Sequence, residues 1–113
     1  MNTKHSIQAK AFDKHGRLLA VGNNSYTKTH TIQAKFAKKA GTPEKEYLHG
    51  EIDCLIKARG AKIHALHVSR TTKQGHLRNA KPCNVCMRAI IEYGVSRVYY
   101  SDNNGCIVEL NMK

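Results

Sequence analysis

The chain has few of the features that would mark a membrane, secreted or multi-domain protein. Its longest apolar stretches, such as Ala89 to Ile91 and Leu18 to Val21, fall far short of the roughly 20 residues that a membrane-spanning helix needs. No membrane association is expected. Met1 to Lys10 alternates polar and charged residues without an apolar core, so a secretory signal is not expected and the cytoplasm is the expected location. Repeats, low-complexity runs and Pro/Gly/Ser-rich linkers are missing, and each of the two prolines stands at an element boundary. With 113 residues, a second domain would leave two pieces too small to bury a stable core, so residues 1–113 read as a single domain.

Acidic residues are also scarce: eight Asp and Glu face nineteen Lys and Arg, a formal net charge of +11. That field attracts anionic partners, whether nucleotides or nucleic acid. Hydrophobic residues at 41% and charged residues at 24% are ordinary for a folded globular chain, which excludes disorder. Four cysteines without a secretory signal point to metal binding or catalysis more than to disulfides.

Ile7 to Phe12 and Leu18 to Val21 are β-compatible runs around Asp13-Lys14-His15-Gly16, which predicts an opening hairpin. Ile32, Phe36, Ala37 and Ala40 repeat at helical spacing, predicting a first helix over Thr31 to Ala40 that Gly41 and Pro43 end. Leu48, Ile52, Leu55 and Ile56 predict a second helix from about His49 to Gly60. Ile63 to Val68 reads as a strand, Ser69 to Lys81 as a polar loop, and Cys83 to Tyr93 as a third helix behind Pro82. Val95 to Ser101 and Cys106 to Leu110 flank Asp102-Asn103-Asn104-Gly105, so these last two strands are expected to pair antiparallel.

Two short segments carry the chemistry. His49-Gly50-Glu51 opens one predicted helix, and Pro82-Cys83-Asn84-Val85-Cys86 opens another. Cys83 and Cys86 share one face of a helical turn, where the positive end of the helix dipole favours thiolates. Zinc takes N and S donors tetrahedrally, and a catalytic site uses three protein ligands and keeps one position for water. His49, Cys83 and Cys86 make that count. Glu51 lies roughly 200° around the helix from His49, so the two converge only at the helix tip. There a carboxylate can take a proton from the water and deliver it to a leaving amine. A structural zinc knuckle is the alternative, with His76 or Cys54 as a fourth ligand.

HGE followed, after 30 residues, by PCNVC resembles the signature of the zinc-dependent cytidine deaminase superfamily. The resemblance covers motif, element order and length. It implies an α/β fold, a three-layer α/β/α sandwich with a five-stranded mixed sheet, and Zn2+ on His49, Cys83 and Cys86 with Glu51 catalytic. Gly50 replaces the commoner alanine of the motif. An asparagine at the end of the second strand contacts substrate in such enzymes, and Asn24 holds that place, although Gly22-Asn23-Asn24 also suits a plain turn. Gly50, Pro82, Lys28 and Arg70 are further candidates for substrate binding. Lys28-Thr29-His30 suits a phosphate cradle before the first helix, with Thr29 or Thr31 equally suited to cap it.

Antiparallel final strands are the habit of superfamily members acting on free nucleosides, though some toxins acting on nucleic acid share it. The resemblance implies hydrolytic deamination of cytidine, deoxycytidine or dCMP by a homo-oligomer. The alternatives are a deaminase of cytosine or adenine in single-stranded nucleic acid, and a non-enzymatic zinc-stabilised interaction module. Tyr99 and Tyr100 alternate across a strand, so one belongs to the core. His64 and His67 fall on opposite faces and cannot pair, and Cys54 and Cys106 read as small hydrophobes.

Overall fold

The computed structural model describes residues 6–24, 30–41, 49–72 and 74–110. Nine elements follow in chain order: β1 (Ser6–Phe12), β2 (Leu18–Asn23), α1 (Thr31–Lys39), α2 (Gly50–Lys57), β3 (Ala65–Thr71), β4 (Leu77–Arg78), α3 (Asn84–Glu92), β5 (Arg97–Ser101) and β6 (Ile107–Glu109). The sheet runs β2-β1-β3-β5-β6, with the short β4 also paired to β3. It is mixed, since β3 and β5 are parallel and every other pair is antiparallel. Among the described residues no helix is long and apolar enough to cross a membrane.

Both hairpins form where the turn chemistry predicts them. Asp13 accepts the N–H groups of His15 and Arg17 on Oδ1, and Gly16 takes the left-handed φ of +80° that its turn requires. Asp102 likewise accepts the N–H groups of Asn104 and Cys106, which sets β5 and β6 antiparallel as expected.

The strand after α2 starts two residues later than its apolar run suggests and reaches Thr71, because β1 pairs with it along its whole length, from Phe12↔Ala65 to Ser6↔Thr71. The expected loop Ser69 to Lys81 therefore contains the end of β3 and all of β4, joined by a turn in which His76 N–H donates to Thr72 Oγ1. Edge pairing of polar residues leaves no alternating apolar signal. The first helix is capped by neither threonine candidate. His30 is the cap, its Nδ1 accepting the Ile32 N–H at 3.0 Å, and Thr29 lies outside the described residues. Lys28 lies outside them too.

Side-chain alternation decides where the core sits. Ala9 and Ala11 of β1, Ala20 of β2, Leu66 and Val68 of β3, and Val98 of β5 share one face and are buried under Phe36, Ile52, Leu55, Val85 and Ile90 from the three helices. α1 packs on α3 and α2 on α3, so among the described residues the helices form one layer on one face. The opposite face carries Gln8, Lys10, Phe12, His67, Ser69, Tyr99 and Ile107 around a shallow hollow. There the His67 ring stacks on Tyr99 at 4.7 Å and meets Phe12 edge-on at 5.0 Å. Tyr100 faces the other way and packs on the core, so the two tyrosines divide as strand alternation requires. A second helical layer, which would complete a three-layer sandwich, is not among the described residues.

α2 lies directly on the end of β2, and glycine is what permits the approach. A Cβ on Gly22 would collide with the backbone nitrogen of Cys54 and the carbonyl oxygen of Gly50. Neither obstacle is a flexible side chain, so the helix would have to move. Gly22→Ala is expected to destabilise the protein by at least about 2 kcal/mol, measured by urea unfolding. An unchanged midpoint would show that α2 tolerates displacement.

Candidate metal centre

The group forms where two helices begin side by side. α2 starts at Gly50 with His49 as its N-cap residue, and α3 starts at Asn84 with Cys83 in the same position. Neither cap side chain bonds to its own helix, which leaves both ligating atoms for each other. Cys86 follows one turn into α3. The His49 Nδ1 lies 3.2 Å from Cys86 Sγ and 3.6 Å from Cys83 Sγ, and all three atoms fall within 4.8 Å of one another. Among the described residues no fourth His, Cys, Asp or Glu joins them. Cys54, one candidate for a fourth ligand, is buried and donates to Ala20 O, while His76 is exposed in the β3–β4 turn.

A network of polar contacts fixes this meeting point. The His49 N–H donates to Gln33 Oε1 at 3.1 Å, from a side chain of α1 with no solvent exposure. Asp53, in the first turn of α2, accepts the Asn23 N–H at 2.9 Å and pairs with Lys57 at 2.9 Å. These contacts tie α2 to α1 and to β2. Gln33 and Asp53 carry no motif in the sequence; Gln33 sits on the apolar stripe of α1 beside Phe36, and a polar side chain on such a stripe is the only available signal.

Glu51 is buried, only 4% exposed. Burial pushes its pKa up, as does the charge of Cys83, whereas its own backbone N–H, the His49 ring and a hydrogen bond with Cys86 oppose the rise. The two cysteines share one hydrogen bond unequally. Cys86 donates to Cys83 and drives it down to about 3, with His49 assisting, while Cys86, deeply buried, retains its proton well above the ordinary thiol range. A cation among them would stabilise both as thiolates.

The remaining candidates surround this group unevenly. Asn24 accepts the Ile7 N–H on Oδ1 at 2.9 Å and donates its own N–H to Ile7 O at 3.1 Å, closing the end of the hairpin. Gly50 is buried, and a Cβ there would stand 3.1 Å from Ile7 O, so alanine would be tight at this position. Pro82 is buried just ahead of the Cys83 cap and so precedes the helix instead of occupying its first turn. Arg70 lies one residue before the end of β3 on the helix-bearing face, beside Ile7.

Thiol reactivity should follow these environments. Burial raises the Cys54 thiol to about 11, leaving roughly one in a thousand ionised at pH 8. With iodoacetamide at pH 8, the exposed Cys106 is expected to react first, Cys83 to join it once a chelator has been added, and Cys54 to react only after unfolding. Peptide mass spectrometry reads the order, and labelling of Cys54 in the folded protein would contradict it.

No protein-family model matches the sequence, and no curated protein matches it. The structure is similar to that of a glutamate-to-glutamine mutant of cytidine deaminase from Mycobacterium tuberculosis. The TM-score is 0.52 at 17% sequence identity, over 87% of this chain and 67% of that one. The chain thus has a cytidine deaminase-like α/β fold, and its paired helix starts carry a His/Cys/Cys group able to hold a metal.

Proposed function

We propose that the protein is a zinc-dependent aminohydrolase that converts the cytosine of a nucleoside or nucleotide to uracil and releases ammonia. The observation that carries this reading is the three-donor group with a buried carboxylate one residue into the same helix. Around a tetrahedral zinc with ordinary bond lengths, N···S separations come to about 3.6 Å. The separations of 3.2 and 3.6 Å from His49 Nδ1 to the two sulfurs match that size. Two thiols and an imidazole form a donor set suited to zinc, and three ligands leave one coordination position for chemistry.

A zinc ion held there would supply the Lewis acidity that makes water nucleophilic near neutral pH. The chain supplies the proton handling. Glu51 is buried and burial pushes its pKa up, which makes its carboxylate a better proton acceptor while leaving it able to return the proton. It would take the two protons of the attacking water in turn, passing the first to the ring nitrogen of cytosine and the second to the departing amine. Hydrogen-bonding groups at the hairpin end, with Asn24 foremost, would orient the base, and Gly50 would keep the helix start close to Ile7.

The antiparallel β5–β6 pair supports a free nucleoside or nucleotide as the substrate, in line with the habit of similar deaminases. The one helical layer among the described residues has little depth to enclose a base, which favours a homo-oligomer whose neighbouring copy completes the pocket.

Glu51→Gln is expected to lower ammonia release from cytidine or CMP by at least about 100-fold, the lower end of what general acid–base catalysis contributes. Zinc should remain bound at one ion per chain. Colorimetric ammonia assay and elemental analysis of the same sample check both. Undiminished turnover in the variant would remove Glu51 from the chemistry, and loss of zinc would make it a ligand.

A further inference from the structure

Arg70 is placed unlike any of the other basic residues described. The register Ile7↔Arg70 continues Ala9↔Val68 and Ala11↔Leu66, so its side chain rises on the same face as two fully buried residues of β3, beneath the helices. Its neighbour on one side is Ile7, whose carbonyl oxygen receives the Asn24 N–H and abuts Gly50, between His49 and Glu51. On the other side the Arg70 N–H donates to Ser101 Oγ at 3.2 Å. That hydroxyl donates in turn to Arg78 O at 2.6 Å, and Ser101 O accepts the Ala80 N–H at 2.8 Å, which secures the segment leading into Pro82 and Cys83. Arg70 therefore stands at the end of the sheet between the two segments that carry the metal-binding group.

One donor of its guanidinium is unsatisfied. Nε of Arg70 is buried without a hydrogen-bond partner. Among the described residues Asp13, Asp53, Glu92 and Glu109 pair with Arg17, Lys57, Lys39 and Arg97, and Arg70 takes part in no ion pair. The residue as a whole is half-buried, but a buried N–H donor left without an acceptor is costly to a fold unless a ligand supplies the partner. The guanidinium fork matches the oxygens of phosphate, and the net charge of +11 attracts phosphorylated compounds over neutral ones.

We propose that Arg70 binds a phosphate group of the substrate, making this a deaminase of phosphorylated cytosine compounds in preference to free nucleosides. The proposal rests on the deaminase reading. The phosphate belongs either to a nucleoside monophosphate or to the backbone of a short oligonucleotide; the chemistry of recognition is the same, and the experiment separates the two.

Zinc-loaded full-length protein, Arg70→Ala and Arg70→Lys are compared for ammonia release from cytidine, deoxycytidine, CMP, dCMP and a cytosine-containing single-stranded octanucleotide. For the unaltered protein, kcat/KM for one phosphorylated class should exceed that for nucleosides by at least about 10-fold, the worth of a charged hydrogen bond. Arg70→Ala should erase that ratio, and Arg70→Lys, which keeps the charge but loses the fork, should restore part of it. A loss confined to CMP and dCMP identifies the monoester, and one confined to the octanucleotide identifies the backbone. Equal losses on nucleosides and nucleotides would overturn the proposal, because Arg70 would then serve the base or the scaffold. Calorimetric titration of CMP and cytidine into Glu51→Gln, with and without Arg70→Ala, separates failure of the two ideas. If no substrate yields ammonia, the deaminase reading fails, whereas weakened CMP binding with unchanged cytidine binding still supports the phosphate contact. CMP binding that ignores Arg70 defeats it.

Discussion

Two helices that begin at the same edge of one sheet bring the His49 imidazole within hydrogen-bonding range of the Cys86 sulfur, and every other feature of the site depends on that approach. It requires α2 to rest on β2 without intervening side chains, which Gly22 allows, and Gly50 to fit against Ile7 O. It also requires that neither cap residue spend its side chain on its own helix. Ser, Thr, Asp or Asn at these two positions would satisfy the helix and leave the group incomplete. The cost to each helix is a missing cap; the gain is a cluster of soft donors at the positive ends of two dipoles.

Polar side chains inside the fold fix the geometry that glycine permits. Gln33, fully buried, holds the backbone of His49, and Asp53 holds the backbone of Asn23. Asn24 joins the strand end to β1, and Ser101 joins β5 to both Arg70 and Arg78. All four bond to main chain, so each one sets the position of a segment, whereas a bond between two flexible side chains would set less. Buried polar groups of this kind are retained only when satisfied. Arg70 Nε is the described exception.

The His/Cys/Cys group able to hold a metal was legible from spacing because donors gathered at helix starts need short, fixed intervals: His49 at one tip, Cys83 and Cys86 on one turn of the other. The hairpins were legible because Asp13, Gly16, Asp102 and Gly105 solve local backbone problems that few other residues can. Recognition faded where long-range pairing decides structure. β3 extends to Thr71 and β4 exists only because β1 and β3 offer partners, and nothing in Arg70-Thr71 or Leu77-Arg78 announces that. The capping role of His30 was hidden by two threonines with better local propensity. Gln33 and Ser101 escaped notice because their value lies in what they meet across the fold, at separations of 16 and 31 residues.

The division of labour across the sheet has a consequence for how this chain can change. His49, Glu51, Cys83, Cys86 and Arg70 all belong to the helix-bearing side, while Lys10, Phe12, His67 and Tyr99 form the reverse side. Strand alternation insulates one from the other, since a residue and its neighbour point apart. The reverse side can therefore diversify: it can acquire a covering segment, a fusion partner or a different aromatic pattern through substitutions that never touch the His/Cys/Cys group.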